Sequence, residues 1–284
     1  MSSRQRKAAT TDFDWNALVC KQKIQPITED FAAATRERLQ AIHANFQRYE
    51  SLYSRHHIGI NLILPPKDIK PDNIMQELND NSVLDKFVQA ELDKPSPRKV
   101  VDRQTIYLSR LFEPPKKFGR VLLCDFGSAV QGEEQRNHNA QPEIFRSPEV
   151  MLTADWSYPA DIWNVGVMAW FLFEGDLLFT GQYPTLHRYI TRAHLAEIIG
   201  LVGPPPLDLV QQGTRSSEFF DEDGNWKVDD VEIKRKRLED LEQYLEGENK
   251  KDFLAFMRGT LQWRPEDQKN AAELLKDPWL NSWI

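Results

Sequence analysis

The sequence predicts a mainly α-helical domain with short β-hairpins, and three stretches carry that expectation. Leu39, Ile42, Phe46, Tyr49 and Tyr53 recur at alternating spacings of three and four, which puts them on one face of a helix. Asp161 to Glu174 is apolar nearly all round, as in a helix buried at the centre of a domain. Val121-Leu122-Leu123-Cys124 is too short for a helix and reads as a buried strand.

The elements follow in order. Residues 1–27 are polar and are expected to be disordered or loosely attached. Thr28 suits an N-cap, with Glu29 and Asp30 at the positive end of the dipole, so the first helix runs from there to about Arg55. The apolar run Ile60 to Leu64 stops at Pro65-Pro66. Residues 76–118 alternate charge, Pro and short apolar pieces, and Pro95-Ser96-Pro97 and Pro114-Pro115 mark exposed loop. His187 to Leu201 is amphipathic, and Gly203-Pro204-Pro205-Pro206 ends it. Asp221 to Glu232 is acidic and loop-like, Leu238 to Leu245 and Phe253 to Leu261 read as helices, and Ala271 to Leu275 begins a last one closed by Pro278-Trp279-Leu280.

Composition excludes several classes. The 284 residues are 40% hydrophobic and 28% charged, with 8 Trp and 15 Phe, enough for a real core. A net charge of -7 disfavours non-specific nucleic-acid binding and suits a basic partner. Cys20 and Cys124 have no metal-ligand spacing and are expected as free thiols in a reducing compartment. No apolar leader follows the opening MSSRQRK, and the longest apolar stretch, Val165 to Phe173, cannot span a bilayer, so neither secretion nor a membrane is expected.

The chemistry lies in short motifs. Phosphoryl transfer to a hydroxyl needs a carboxylate to orient the attacking oxygen, a cation near the moving phosphate and a neutral oxygen ligand for the metal. Asp68-Ile69-Lys70-Pro71-Asp72-Asn73 supplies all three within six residues, although alone it could equally be a polar turn. Asp125-Phe126-Gly127 follows the predicted strand, where a carboxylate can hold Mg²⁺ between phosphates; alone it is a weak tripeptide. Arg146-Ser147-Pro148-Glu149 comes next, then Asp161-Ile162-Trp163.

Four such elements in this order resemble the eukaryotic protein kinases, and the match runs from about Thr28 to the C-terminus, strongly from Asp68. The resemblance implies a protein kinase-like fold: residues 28–284 form the helical C-lobe, with one polar insert at 76–118 and another at 203–250. It implies catalytic roles for Asp68 and Lys70, Mg²⁺ and ATP held by Asn73 and Asp125 with Lys70 on the phosphate, a substrate loop at Arg146 and Glu149, and an anchor at Asp161. Asp161 to Gly166, Leu177 to Gly181 and Arg192 to Leu195 look most like fungal SR-protein-kinase-like serine/threonine kinases, whose substrates are Arg/Ser-rich proteins in the cytoplasm or nucleus. Asp125 follows Asn73 by 52 residues, an insert expected to be a solvated loop. No obvious acceptor hydroxyl stands mid-way between Asp125 and Glu149, which suggests activity without phosphorylation of that segment.

The departures from the family are as specific. None of the 13 glycines forms G-x-G, so the loop that covers ATP phosphates is absent from this sequence, and a complete β-rich N-lobe is not expected. Pro66 stands where the family has a histidine. In Trp263-Arg264-Pro265-Glu266-Asp267-Gln268, the glutamine stands where the family has the arginine that pairs with Glu149, leaving Arg264 or Lys269 as substitutes. With only one wall of an ATP cleft, activity is expected many orders below that of a complete kinase. The alternatives are a non-catalytic, pseudokinase-like module that binds basic peptides, and a truncated gene product.

Three surface features have modest readings. Lys234-Arg235-Lys236-Arg237 is a solvated helix start before it is a nuclear-import signal. The acidic face Glu239, Asp240, Glu242, Glu246 and Glu248 is ordinary soluble surface before it is a docking patch. His56-His57 is a polar turn before it is a metal site.

Overall fold

The computed structural model describes residues 69–78, 82–108, 118–125 and 136–282. The helix expected from Thr28 to Arg55, the Ile60–Leu64 run, Asp68 and the His56-His57 pair lie outside the described residues.

The first strand, β1 (Ile74–Leu78), leaves a single 3₁₀ turn at Pro71–Asn73. The segment that follows is not the bare loop its prolines suggest. Ser82–Asp93 forms a helix, α1, and Arg98–Val101 (β2) pairs antiparallel with Gln104–Tyr107 (β3). The two-residue turn between them, Asp102-Arg103, has φ of 48° and 66°, a left-handed pair suited to the twist of a tight hairpin. Phe118–Leu123 (β4) then returns to pair antiparallel with β1, Ile74 opposite Leu123.

From residue 136 on, helices carry the core and irregular segments connect them. Pro148–Leu152 (α2) begins at a proline, which costs nothing at the first helical position. Pro159–Glu174 (α3) is buried along nearly its whole length and ends at Gly175, φ 73°, a left-handed stop that glycine adopts freely. The predicted helix from His187 begins later. Arg188–Tyr189 (β6) instead pairs with Gln182–Tyr183 (β5), and the helix α4 is Thr191–Val202, closed at Gly203 as expected. Then come Leu207–Gln212 (α5), the irregular acidic stretch, and Leu238–Leu241 (α6), shorter than predicted. Glu242 ends α6: its carboxylate turns back to accept from the amides of Tyr244 and Leu245. The basic run leads into α6: Arg237, in an extended conformation, is the residue that precedes its first turn, and Lys236 N–H donates to Gly200 O of α4 at 3.0 Å.

Gly247–Thr260 (α7), Ala271–Leu275 (α8) and Pro278–Asn281 (α9) complete the described chain. Asn270 and Glu273 cap α8 reciprocally, a capping box. The core centres on α3 and α7. Phe173 packs on Phe253 at 4.8 Å, Phe253 on Trp279 at 4.7 Å and Phe256 on Trp279 at 4.9 Å, locking α9 over the pair. The two long helices approach closely because Gly166 has no side chain: a Cβ there would stand 2.2 Å from Thr260 Oγ1. The described chain is thus helical with short antiparallel strand pairs and no closed sheet, which bears out the expected helical lobe.

Candidate functional site

The site is assembled on the β1–β4 ladder. Pro71 stiffens the turn in which Asn73 N–H donates to Lys70 O at 3.0 Å. Ile69 is buried in the main core and anchors the turn's entrance. At the far strand, Cys124 N–H donates to Asn73 O at 2.8 Å, extending the ladder by one rung past Ile74–Leu123. Asn73 and Asp125, 52 residues apart in sequence, therefore stand at the same end of one two-stranded ladder. Asn73 is buried and Asp125 exposed. Asp125 has φ 63°, a left-handed conformation that aspartate tolerates better than most residues and that concentrates at functional sites. An amide oxygen and a carboxylate at one ladder end are hard donors of the type Mg²⁺ takes, with the rest of its shell left to water and phosphate. Among the described residues no group of three acidic, His or Cys side chains could hold a metal alone, so a nucleotide's phosphates would have to complete the shell.

The second half of the site is the loop before α2. Gln141 was not singled out from the sequence, yet it stitches this loop to α3. Its Nε2 donates to Ala160 O at 2.8 Å and to Asn164 Oδ1, and its Oε1 accepts from Ser147 N–H at 2.8 Å. Asn164, fully buried, donates in turn to Phe145 O at 3.1 Å. These partners are up to 23 residues apart, and no local pattern announces them. Arg146 is held in the same loop. Its guanidinium donates to Ala140 O at 3.1 Å and Gln141 O at 3.2 Å and lies 5.9 Å from the Tyr189 ring centre.

Beneath that cation the surroundings are neutral. Burial pushes the Tyr189 hydroxyl up to about 12. Burial, helped by the charge of Arg146, depresses His194 to about 3. The two rings meet through Tyr189 Oη and His194 Nδ1 at 3.2 Å. Glu149 and Asp161 are both buried, the first in α2 and the second in the first turn of α3. Among the described residues Glu149 has no cation. Arg264 forms a bidentate pair with Asp208 at 2.9 and 2.7 Å, and Lys269 pairs with Asp277 at 2.8 Å. Neither substitutes for the arginine that Gln268 replaces.

Three residues of the acidic face are committed as well. Glu239 pairs with Arg258, Glu242 is buried against Lys250 at 2.9 Å, and Glu248 pairs with Lys251 at 2.8 Å. No described helix is long and apolar enough to cross a membrane.

With this geometry in place, the comparisons are direct. The protein kinase domain model matches residues 56–280. A serine/threonine protein kinase of Aspergillus fumigatus is 44% identical over 205 residues, 71% of this chain and 51% of the relative. The serine/threonine-protein kinase SKY1 of Saccharomyces cerevisiae is 31% identical over 180 residues, 60% of this chain and 23% of the relative. SRSF protein kinase 3 of Sus scrofa is 31% identical over 173 residues, 57% of this chain and 29% of the relative. The chain spans about half the length of the Aspergillus kinase it matches. A domain match over most of its residues, on a helical lobe that carries the expected motifs in order, means that this chain belongs to the protein kinase family, among its serine/threonine members.

Proposed function

We propose that the chain carries the catalytic-loop half of a serine/threonine kinase that transfers the γ-phosphate of ATP to a hydroxyl of a protein, with Arg/Ser-rich segments as the substrate class. One observation supports this most directly: the Cys124–Asn73 backbone bond, which brings the Asn73 and Asp125 positions to the same end of one ladder. In this reading Asn73 and Asp125 hold the Mg²⁺ of Mg-ATP, Lys70 steadies the transferred phosphate and Asp68 orients the attacking hydroxyl and takes its proton. The metal's contribution is to neutralise charge on the phosphates. Arg146 and Glu149 belong to the loop that receives the substrate, and Asp161 anchors the base of α3. Residues 28–284 make up the kinase lobe, residues 1–27 precede it, and residues 76–118 and 203–250 are its inserts. The cytoplasm or nucleus is the corresponding compartment.

The substrate class rests on likeness to the kinase named for SRSF proteins and on the negative charge of the chain. The acidic face after α6 gives it little further support, since Glu239, Glu242 and Glu248 already have cationic partners. The same pairing weighs against a purely peptide-binding module.

Phosphate incorporation into an Arg/Ser peptide tests the proposal. Asp68→Asn and Asp125→Ala are each expected to lower the rate by at least about a hundredfold, as for loss of a positioned base or metal ligand. Equal rates for the three proteins would remove the assignment.

A further inference from the structure

We propose that Glu149 is a neutral carboxylic acid in the folded chain, and that its ionisation loosens the joint between the Gln141–Ser147 loop and α2, making this region sensitive to pH. The residue is 1% exposed, and neither of its carboxyl oxygens meets a hydrogen-bond donor. A buried charge without a partner is far costlier than a buried acid, so the group keeps its proton.

Among the described residues, several charged and titratable side chains on the neighbouring elements are committed elsewhere, and Arg136, joined by its backbone to Trp156, makes no hydrogen bond to Glu149. In the loop before α2, Arg146 spends its guanidinium on two carbonyls and the Tyr189 ring. Arg215, brought to α2 by its N–H bond to Leu152 O at 3.0 Å, grips Glu218 with two bonds at 2.9 and 2.8 Å. On α4, Arg192 pairs with Asp230 at 2.7 Å, His194 is neutral, and Glu197 accepts from Thr180 and Gly181. Glu143 in the loop and Asp161 on α3 are acids and bring no positive charge. Arg264 and Lys269 are paired as described. Gln268, where family likeness expects a cation, is an amide whose Nε2 and Oε1 are both buried without a partner.

Burial is accordingly the largest influence on Glu149 and pushes it up to about 7. Its own amide and the Ser147 hydroxyl favour the charge, but too weakly to offset burial, and neither meets hydrogen-bond geometry with the carboxyl oxygens. The sign follows from the folded value lying above the ordinary 4.5. Below 4.5 both states hold the proton and nothing is lost. As pH rises towards 7 the unfolded chain has released a proton that the folded chain still keeps, so stability falls. Above 7 the loss is complete.

Urea unfolding of the full chain between pH 5 and 8 tests this. The measurements are made in the Glu174→Gln background, because Glu174 is also raised to about 7. Adding Glu149→Gln should increase the folding constant relative to its parent by on the order of a hundredfold more at pH 8 than at pH 5. Parallel pH curves would overturn the proposal. So would failure of the Glu149→Gln chain to fold at pH 5, because a carboxamide closely mimics the neutral acid. Independently, calorimetry in two buffers of different ionisation enthalpy should show the Glu174→Gln parent releasing about one proton more on unfolding at pH 6 than the chain that also carries Glu149→Gln, a comparison in which the proton taken up by His194 cancels. Equal proton balances in the two chains would overturn it as well.

Discussion

Two helices of this chain carry large apolar side chains and treat them in opposite ways. In α3 nearly every residue is buried and the helix forms the axis of the core. In α1, Leu84, Val88 and Leu92 repeat at intervals of four, yet all three are exposed, and Val83 is the residue of that helix that is buried. The adjoining β2–β3 hairpin is exposed at every position. Periodicity thus reports that a segment is helical; whether the stripe contributes stability depends on what covers it. The core region should resist unfolding as one unit, whereas the insert should open locally at little cost.

Substitutions can break or sharpen that contrast. The largest effect is expected for Trp279→Ala, which removes the ring shared by Phe173, Phe253 and Phe256 and should cost about 3–5 kcal/mol in chemical denaturation. Next is Gly166→Ala, whose added methyl forces α3 and α7 apart at Thr260, at a cost of about 1–3 kcal/mol by the same measurement. Gln141→Ala should follow. It strips two acceptors on α3, Ala160 O and Asn164 Oδ1, and the Ser147 amide of their partner, at about 1–3 kcal/mol, and should lower phosphotransfer to peptide by more than it lowers stability-limited yield.

Glu174→Gln sharpens the contrast through pH. Burial, and then the charge of Glu242, raise Glu174 to about 7. The wild type should therefore lose stability as pH rises from 4.5 through 7, and the variant should lose less, as read from melting temperature against pH. Smallest of all is Val88→Ala in α1, expected to stay within about 0.5 kcal/mol. A cost above about 2 kcal/mol there would show that the insert's stripe is covered after all.

Much of this was legible in the sequence, for identifiable reasons. Asp161 to Glu174 reads as a central helix because Asn164 is the one polar residue between its ends, and Val121 to Cys124 reads as a strand because four apolar residues precede a turn, although Leu122, Leu123 and Cys124 are half-buried rather than buried. Pro148, Gly175 and Gly203 mark boundaries by their intrinsic backbone preferences. The insert was misread because its prolines mask a helix that ends just before Pro95 and a hairpin that lies between Pro97 and Pro114, and because Asp102-Arg103 lacks the glycine that usually betrays a tight turn. His187 to Tyr189 has helical periodicity, yet pairing with β5 claims it first. The Gln141–Asn164 clamp and the commitments of Arg264 and Lys269 are long-range, set by which side chains tertiary packing brings together.

The rung between Cys124 and Asn73 has a consequence for how this lobe can vary. It shuts the stretch from Leu78 to Phe118 into a closed excursion, so the distance between the two donor residues does not depend on how long the excursion is. Each doubling of such a loop costs only about 0.6 kcal/mol in closure entropy. The excursion is therefore a free port: a lineage can extend it, decorate it or replace it with a foreign module without moving the two ends that matter.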